Sequence, residues 1–187
     1  MLAEQLFDQS AETSSGAVVA SYAAALKLAG RAEEGAKVFK QQCTTCHRIG
    51  EEGFAIGPDF TSTAAKDPQA LLTHIFDPNR YVLPNYEQYT IFDTAGRIHT
   101  GMIAAQTATS ITLKREKNET ETILRGNIEE MASTGKSLMP EGLEKALTHQ
   151  NVADLIAFLQ SVQGNTAGDP NRPLDIGTEP GLVEPTK

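Results

Sequence analysis

Lys40-Gln41-Gln42-Cys43-Thr44-Thr45-Cys46-His47 ends one amphipathic run and holds both cysteines of a 187-residue chain. Two cysteines are too few for a disulfide framework, so their spacing carries the information. Cys-X-X-Cys-His is the attachment signature of c-type haem. Two thiols three positions apart can form thioethers with the two vinyl groups on one edge of a porphyrin. The next residue, His47, then lies under the ring with its imidazole directed at iron. A redox dithiol would carry the same pair, but in a strand-to-helix setting that this sequence lacks. A zinc half-site would need two more ligands from His47, His74, His99 and His149, which have no His-X₃₋₅-His spacing.

Upstream of the motif, Ala32 to Gln42 reads as a helix with Val38 and Phe39 apolar and Gly35 one turn before Phe39. Downstream lies a loop with glycines at 50, 53 and 57 and a proline at 58. Gly57-Pro58 is placed to offer a backbone carbonyl to the imidazole Nδ1–H, which would fix the ring and strengthen its donation to iron. Ile56 and Phe60 bracket that dipeptide and are candidates for the haem face. The second axial ligand must come from the opposite side of the ring. Met139 is the candidate: it sits in Ser137-Leu138-Met139-Pro140, where proline stiffens an irregular loop. A thioether is a soft ligand suited to ferrous iron. Two protein ligands close the iron to substrate and favour electron transfer. His99, then His74 and His149, are the runners-up, while Met102 and Met131 read as core. Arg80, after a helix end, is a candidate partner for a haem propionate, with Tyr81 and Tyr86 as further donors.

Further out, Asp67-Pro68 starts a helix with an apolar face of Leu71, Leu72, Ile75 and Phe76. Tyr86 to Phe92, Arg97 to Ile103, Ser110 to Arg115 and Glu121 to Arg125 read as three or four antiparallel strands. Helical patterning returns from Ile128. The last helix opens at Thr148 and carries Val152, Leu155, Ile156 and Leu159 on one stripe. The tail is Gly/Pro-rich and polar, as disordered segments are. No run of about 18 apolar residues exists, so no membrane insertion is expected. The net charge of −8, with no basic cluster, argues against nucleic acid. The segment from Ala17 to Ala29 is broken by Ser21, Tyr22 and Lys27 and has no preceding cations, so it reads as a helix and not as a secretory signal.

Gly35, Phe39, Cys43 to His47, Gly57-Pro58, Met139-Pro140 and Asp154 to Leu159, in this order, resemble a class I cytochrome c. Asp77-Pro78-Asn79-Arg80, Tyr86, Gly101 and Ser137 to Leu143 are similar to its Pirellula/Verrucomicrobium-type (planctomycete-type) haem-binding branch, over about residues 32–162. The resemblance implies one haem c on Cys43 and Cys46, with His47 and Met139 as iron ligands. It also implies an extracytoplasmic, periplasmic setting at the end of a larger protein, and electrons from a fused or partner dehydrogenase. The expected architecture is mainly α: a helical haem domain with a small inserted antiparallel β-sheet. The expected organisation is an N-terminal helical segment over 1–31, the end of an upstream helical repeat. A haem domain over 32–163 follows, with the insertion at about 86–125, and then a disordered tail over 164–187. The expected role is an electron carrier and not an enzyme. The competing classes are a haem-based gas sensor or peroxidase-like enzyme with a labile distal ligand, and a zinc-stabilised interaction module.

Overall fold

The computed structural model describes residues 15–58, 60 and 67–165. The first fourteen residues of the expected N-terminal segment lie outside these, as does the expected tail beyond residue 165. Residues 15–22 form helix α1, which tightens into a 3₁₀ turn over Ala23–Lys27. Helices α2 (Ala32–Gln42), α3 (Pro68–Phe76) and α4 (His149–Asn165) complete the helical layer. Strands β1 (Arg48–Ile49) and β2 (Glu52–Gly53) make a small hairpin after the cysteine motif. Strands β3 (Glu87–Asp93), β4 (Ile98–Gln106), β5 (Ser110–Lys114), β6 (Thr120–Leu124) and β7 (Ile128–Ser137) form one antiparallel sheet, in the order β6-β5-β4-β3-β7.

This overturns the mainly α expectation: the described part is 42% helical and 28% strand. The fifth strand accounts for much of the difference. Ile128, Met131 and Ala132 have helical spacing, but the segment pairs with β3 through Ala132↔Thr90 and Met131↔Ile91. Pairing with an available edge outweighs intrinsic preference, which is weak in both directions. Met131 is accordingly an exposed strand residue and not core, whereas Met102 on β4 is buried.

The helix boundaries follow local chemistry. The Asp67 carboxylate accepts from Ala70 N–H at 2.9 Å, with Pro68 in the first turn. At α4, Thr148 Oγ1 accepts from Asn151 N–H at 3.1 Å and Asn151 Oδ1 accepts from Thr148 N–H at 3.0 Å, a reciprocal cap. Helices α2 and α4 cross in close contact because Gly35 has no side chain. A Cβ there would stand 1.9 Å from Asp154 O and 2.7 Å from Phe158 Cβ. The crossing brings Phe39 and Phe158 together at 5.6 Å between ring centroids. Asp154, 2% exposed, caps the seam by accepting from Arg31 N–H at 2.8 Å and from Gln150 Nε2 at 2.8 Å.

The N-terminal helix α1 and its 3₁₀ turn pack into this core. Tyr22 stacks on His149 at 4.4 Å and donates from its hydroxyl to Leu147 O at 2.5 Å. Val19, Tyr22 and Ala25 are buried with Phe39, Leu72, Phe76, Val152 and Leu155. The sheet has a second, separate core of Ile91, Ile111, Leu113 and Ile123. The sheet therefore does not extend the helical core.

Candidate functional site

The cysteine motif continues α2 by one irregular turn. Cys43 N–H bonds Phe39 O at 2.8 Å, and His47 N–H bonds Cys43 O at 2.8 Å. The Cys46 carbonyl then accepts from both Ile56 N–H (2.9 Å) and Gly57 N–H (2.8 Å), which folds the downstream loop back over the motif. His47 is 8% exposed, and its Nδ1 lies 3.2 Å from Pro58 O. A carbonyl can only accept, so the proton of the neutral ring sits on Nδ1 and the lone pair is left on Nε2. Burial lowers the His47 pKa, although the Pro58 bond opposes it. The result is an imidazole oriented and protonated as a metal ligand needs to be.

Gly57 is the floor of this arrangement. A Cβ there would stand 2.3 Å from His47 Cε1 and 2.7 Å from Nδ1, so only glycine lets the loop lie flat against the ring. Phe60 supports the imidazole at 4.8 Å between centroids and meets Phe39 edge-on at 6.2 Å. Ile56 is buried. Both cysteines are free thiols. Burial, with Cys46 nearby, pushes the Cys43 thiol up to about 12. Burial also raises Cys46, with Glu116 adding to the effect and the Thr45 hydroxyl opposing it. A nucleophilic dithiol needs a depressed pKa, so this environment argues against thioredoxin-type chemistry. Among the described residues, no group of three or more His, Cys, Asp or Glu side chains could hold a metal ion.

The alternative distal histidines are otherwise engaged or remote. His99 is buried with Nε2 3.1 Å from Asp93 and Nδ1 2.8 Å from Glu121, so carboxylates occupy both ring nitrogens. His149 stacks on Tyr22 and lies 3.0 Å from Ser21 O. His74 is on the exposed face of α3. Met139 is half-buried in the loop after β7, with its N–H donating to Ser137 Oγ at 3.0 Å. Arg80 is largely exposed just past α3, with Nε 3.9 Å from Asp77. Tyr81 is 74% exposed.

Sequence reasoning missed how the sheet meets the motif. Lys117 N–H, at the β5–β6 turn, donates to Thr45 O at 2.9 Å, and Lys114 Nζ reaches Ala55 O. The sheet thus abuts the cysteine motif, and β7 leads into the Met139 loop. Nothing in the sequence of the β5–β6 turn points to Thr45.

The residues fit a covalently attached haem: two adjacent free thiols, an imidazole with its Nε2 lone pair available, and a glycine cradle against the ring. No helix among the described residues is long and apolar enough to cross a membrane. No curated protein matches the chain. Residues 32–90, which include Cys43 to Phe60 and end before Met139, match the cytochrome c family; this part of the chain is similar to a cytochrome c domain, and a domain of that kind implies covalently bound haem c and electron transfer.

Proposed function

We propose that this chain is a one-electron carrier with a single haem, held through Cys43 and Cys46 and ligated by His47 and Met139. The haem supplies the ferric/ferrous couple. The observation that carries the reading is the His47 ring, pressed on Gly57 and bonded through Nδ1 to Pro58 O directly after two free thiols. The Pro58 carbonyl holds the imidazole orientation and raises its basicity. Ile56 and Phe60 contribute apolar surface beside it, which limits water and tunes potential. Met139, in a proline-stiffened loop, offers the thioether. Arg80 can pair with a propionate, since its own side chain is half exposed and its contact with Asp77 is long. The resemblance to the planctomycete-type branch supports a fused or partner dehydrogenase as donor and a periplasmic or otherwise extracytoplasmic location.

The test is a pyridine haemochrome spectrum of protein matured with haem-attachment machinery. Wild type is expected to hold one haem per chain with two thioethers. Cys43→Ala or Cys46→Ala shifts the band to that of a single thioether, and Met139→Ala removes the sulfur–iron charge-transfer band. A colourless wild type would overturn attachment. A charge-transfer band that survives in Met139→Ala would move the distal ligand elsewhere. A ferrous spectrum left unchanged by carbon monoxide separates the carrier from a gas sensor or peroxidase-like enzyme.

A further inference from the structure

We infer that Asn79 is the positioning residue for the distal ligand, tethering both flanks of Met139 with one carboxamide. The inference rests on Met139 being the iron ligand and goes beyond it by naming what holds the thioether in place. Asn79 Oδ1 accepts from Ser137 N–H at 2.9 Å, on the chain before Met139. Its Nδ2 donates to Glu141 Oε1 at 2.9 Å, on the chain after it. Ser137 Oγ in turn accepts from Met139 N–H at 3.0 Å. The positions two before and two after Met139 are thereby fixed from a single point 58 and 62 positions away in sequence.

The side chain suits the task. A backbone N–H can only meet an acceptor and a carboxylate can only meet a donor, so the partners themselves fix which way the amide points. Aspartate would keep the acceptor but set a like charge against Glu141. Leucine would lose both bonds. Asn79 is itself anchored: Asp77 N–H closes α3 on Thr73 O at 2.7 Å, and Arg80 N–H turns back to Asp77 O at 3.1 Å. Asp77 and Pro78 are buried. The tether therefore connects an irregular loop to the rigid end of a core helix. Pro140 has no N–H to add, and the loop's next hold is Tyr22, whose hydroxyl reaches Glu144 O at 3.0 Å.

Imidazole competition on the ferric, haem-loaded full chain tests the inference, because imidazole binds only as the native distal ligand leaves. Asn79→Ala is expected to raise apparent imidazole affinity about tenfold, the size of two lost hydrogen bonds. Glu141→Ala cuts one tether at an exposed position and is expected to shift it in the same direction by less. Met139→Ala should show the highest affinity, and adding Asn79→Ala to it should change nothing more. Gln150→Ala, which weakens the α4 seam far from the loop, should lower the melting temperature without moving the imidazole affinity. An affinity within about twofold of wild type for both Asn79→Ala and Glu141→Ala, with Met139→Ala shifted, would overturn the positioning role alone. So would an equal effect of Asn79→Ala in the Met139→Ala background. A Met139→Ala protein with wild-type affinity and an intact charge-transfer band would overturn the ligand assignment and the inference with it.

Discussion

Replacing Gly35 with alanine sets two opposed effects against each other at the α2–α4 crossing. In a helix interior, alanine is favoured over glycine by about 1 kcal/mol. Against this, the new Cβ would lie 1.9 Å from Asp154 O and 2.5 Å from Asp154 C, both backbone atoms that cannot rotate away. Relief requires the helices to part by roughly 1 Å, enough to forfeit a quarter or more of the dispersion across the seam. Val38, Phe39, Leu155 and Leu159 are buried in this core, each worth about 2 kcal/mol on burial. Losing a quarter to a half of that costs about 2–4 kcal/mol, in line with overpacking of other cores. The sterics win, with a net loss of about 1–3 kcal/mol after the helix gain. For a chain of this size the melting temperature should fall by roughly 3–10 °C. Thermal denaturation of the haem-loaded protein, followed by far-ultraviolet circular dichroism, measures it. Gly16, in the helical stretch with nothing within 4 Å of its would-be Cβ, is the control, and its alanine variant should be neutral or slightly stabilised. A Gly35→Ala protein as stable as wild type would refute the close-crossing argument.

Three further outcomes follow from the same geometry. Gly57→Ala drives a methyl into the His47 ring and disrupts the Nδ1–Pro58 bond; a weaker donor destabilises ferric iron more than ferrous, so the potential should rise by on the order of 50 mV, read by redox titration. The Asp93 carboxyl is held well below the usual range, first by the Arg97 backbone N–H and then by His99 and the Arg97 guanidinium, against its burial. For Asp154, burial is outweighed by Arg31 N–H, Gln150 and the Arg31 guanidinium, so it too is lowered. With folded pKa values depressed, both contribute stability above about pH 4, and that stability is lost as pH falls through the folded values. Asp93→Asn should therefore flatten the acid limb of a stability–pH curve measured by urea denaturation. Thr148→Ala removes the α4 cap and should cost about 1 kcal/mol by the same denaturation assay.

The attachment motif was legible because its chemistry is local: five consecutive residues carry both thiols and the imidazole. The caps at Asp67 and Thr148 were legible for the same reason, each being satisfied within three residues. The strand runs of the β3–β4 and β5–β6 hairpins were readable as well, and in their turns Gly96, Lys117 and Asn118 take the left-handed backbone that such turns require. What stayed hidden depends on contacts distant in sequence. Ile128 to Ser137 is rich in helix formers, and only the vacant edge of β3 makes it a strand. Tyr22 looked peripheral until its partners at 144, 147 and 149 were known. Asn79 was quoted as part of a motif, yet its work is done on residues 137 and 141.

The two apolar cores also bear on how this molecule comes apart and how it could change over generations. The sheet leans on the helices through the backbone of Thr45, the carbonyl of Ala55 and the amide of Asn79 instead of through shared hydrophobic packing. Such a seam lets one half open while the other stays shut, so amide exchange should show two protection classes divided along it. It also leaves the outer face of the β-layer free to diversify by substitution without repacking the residues around His47.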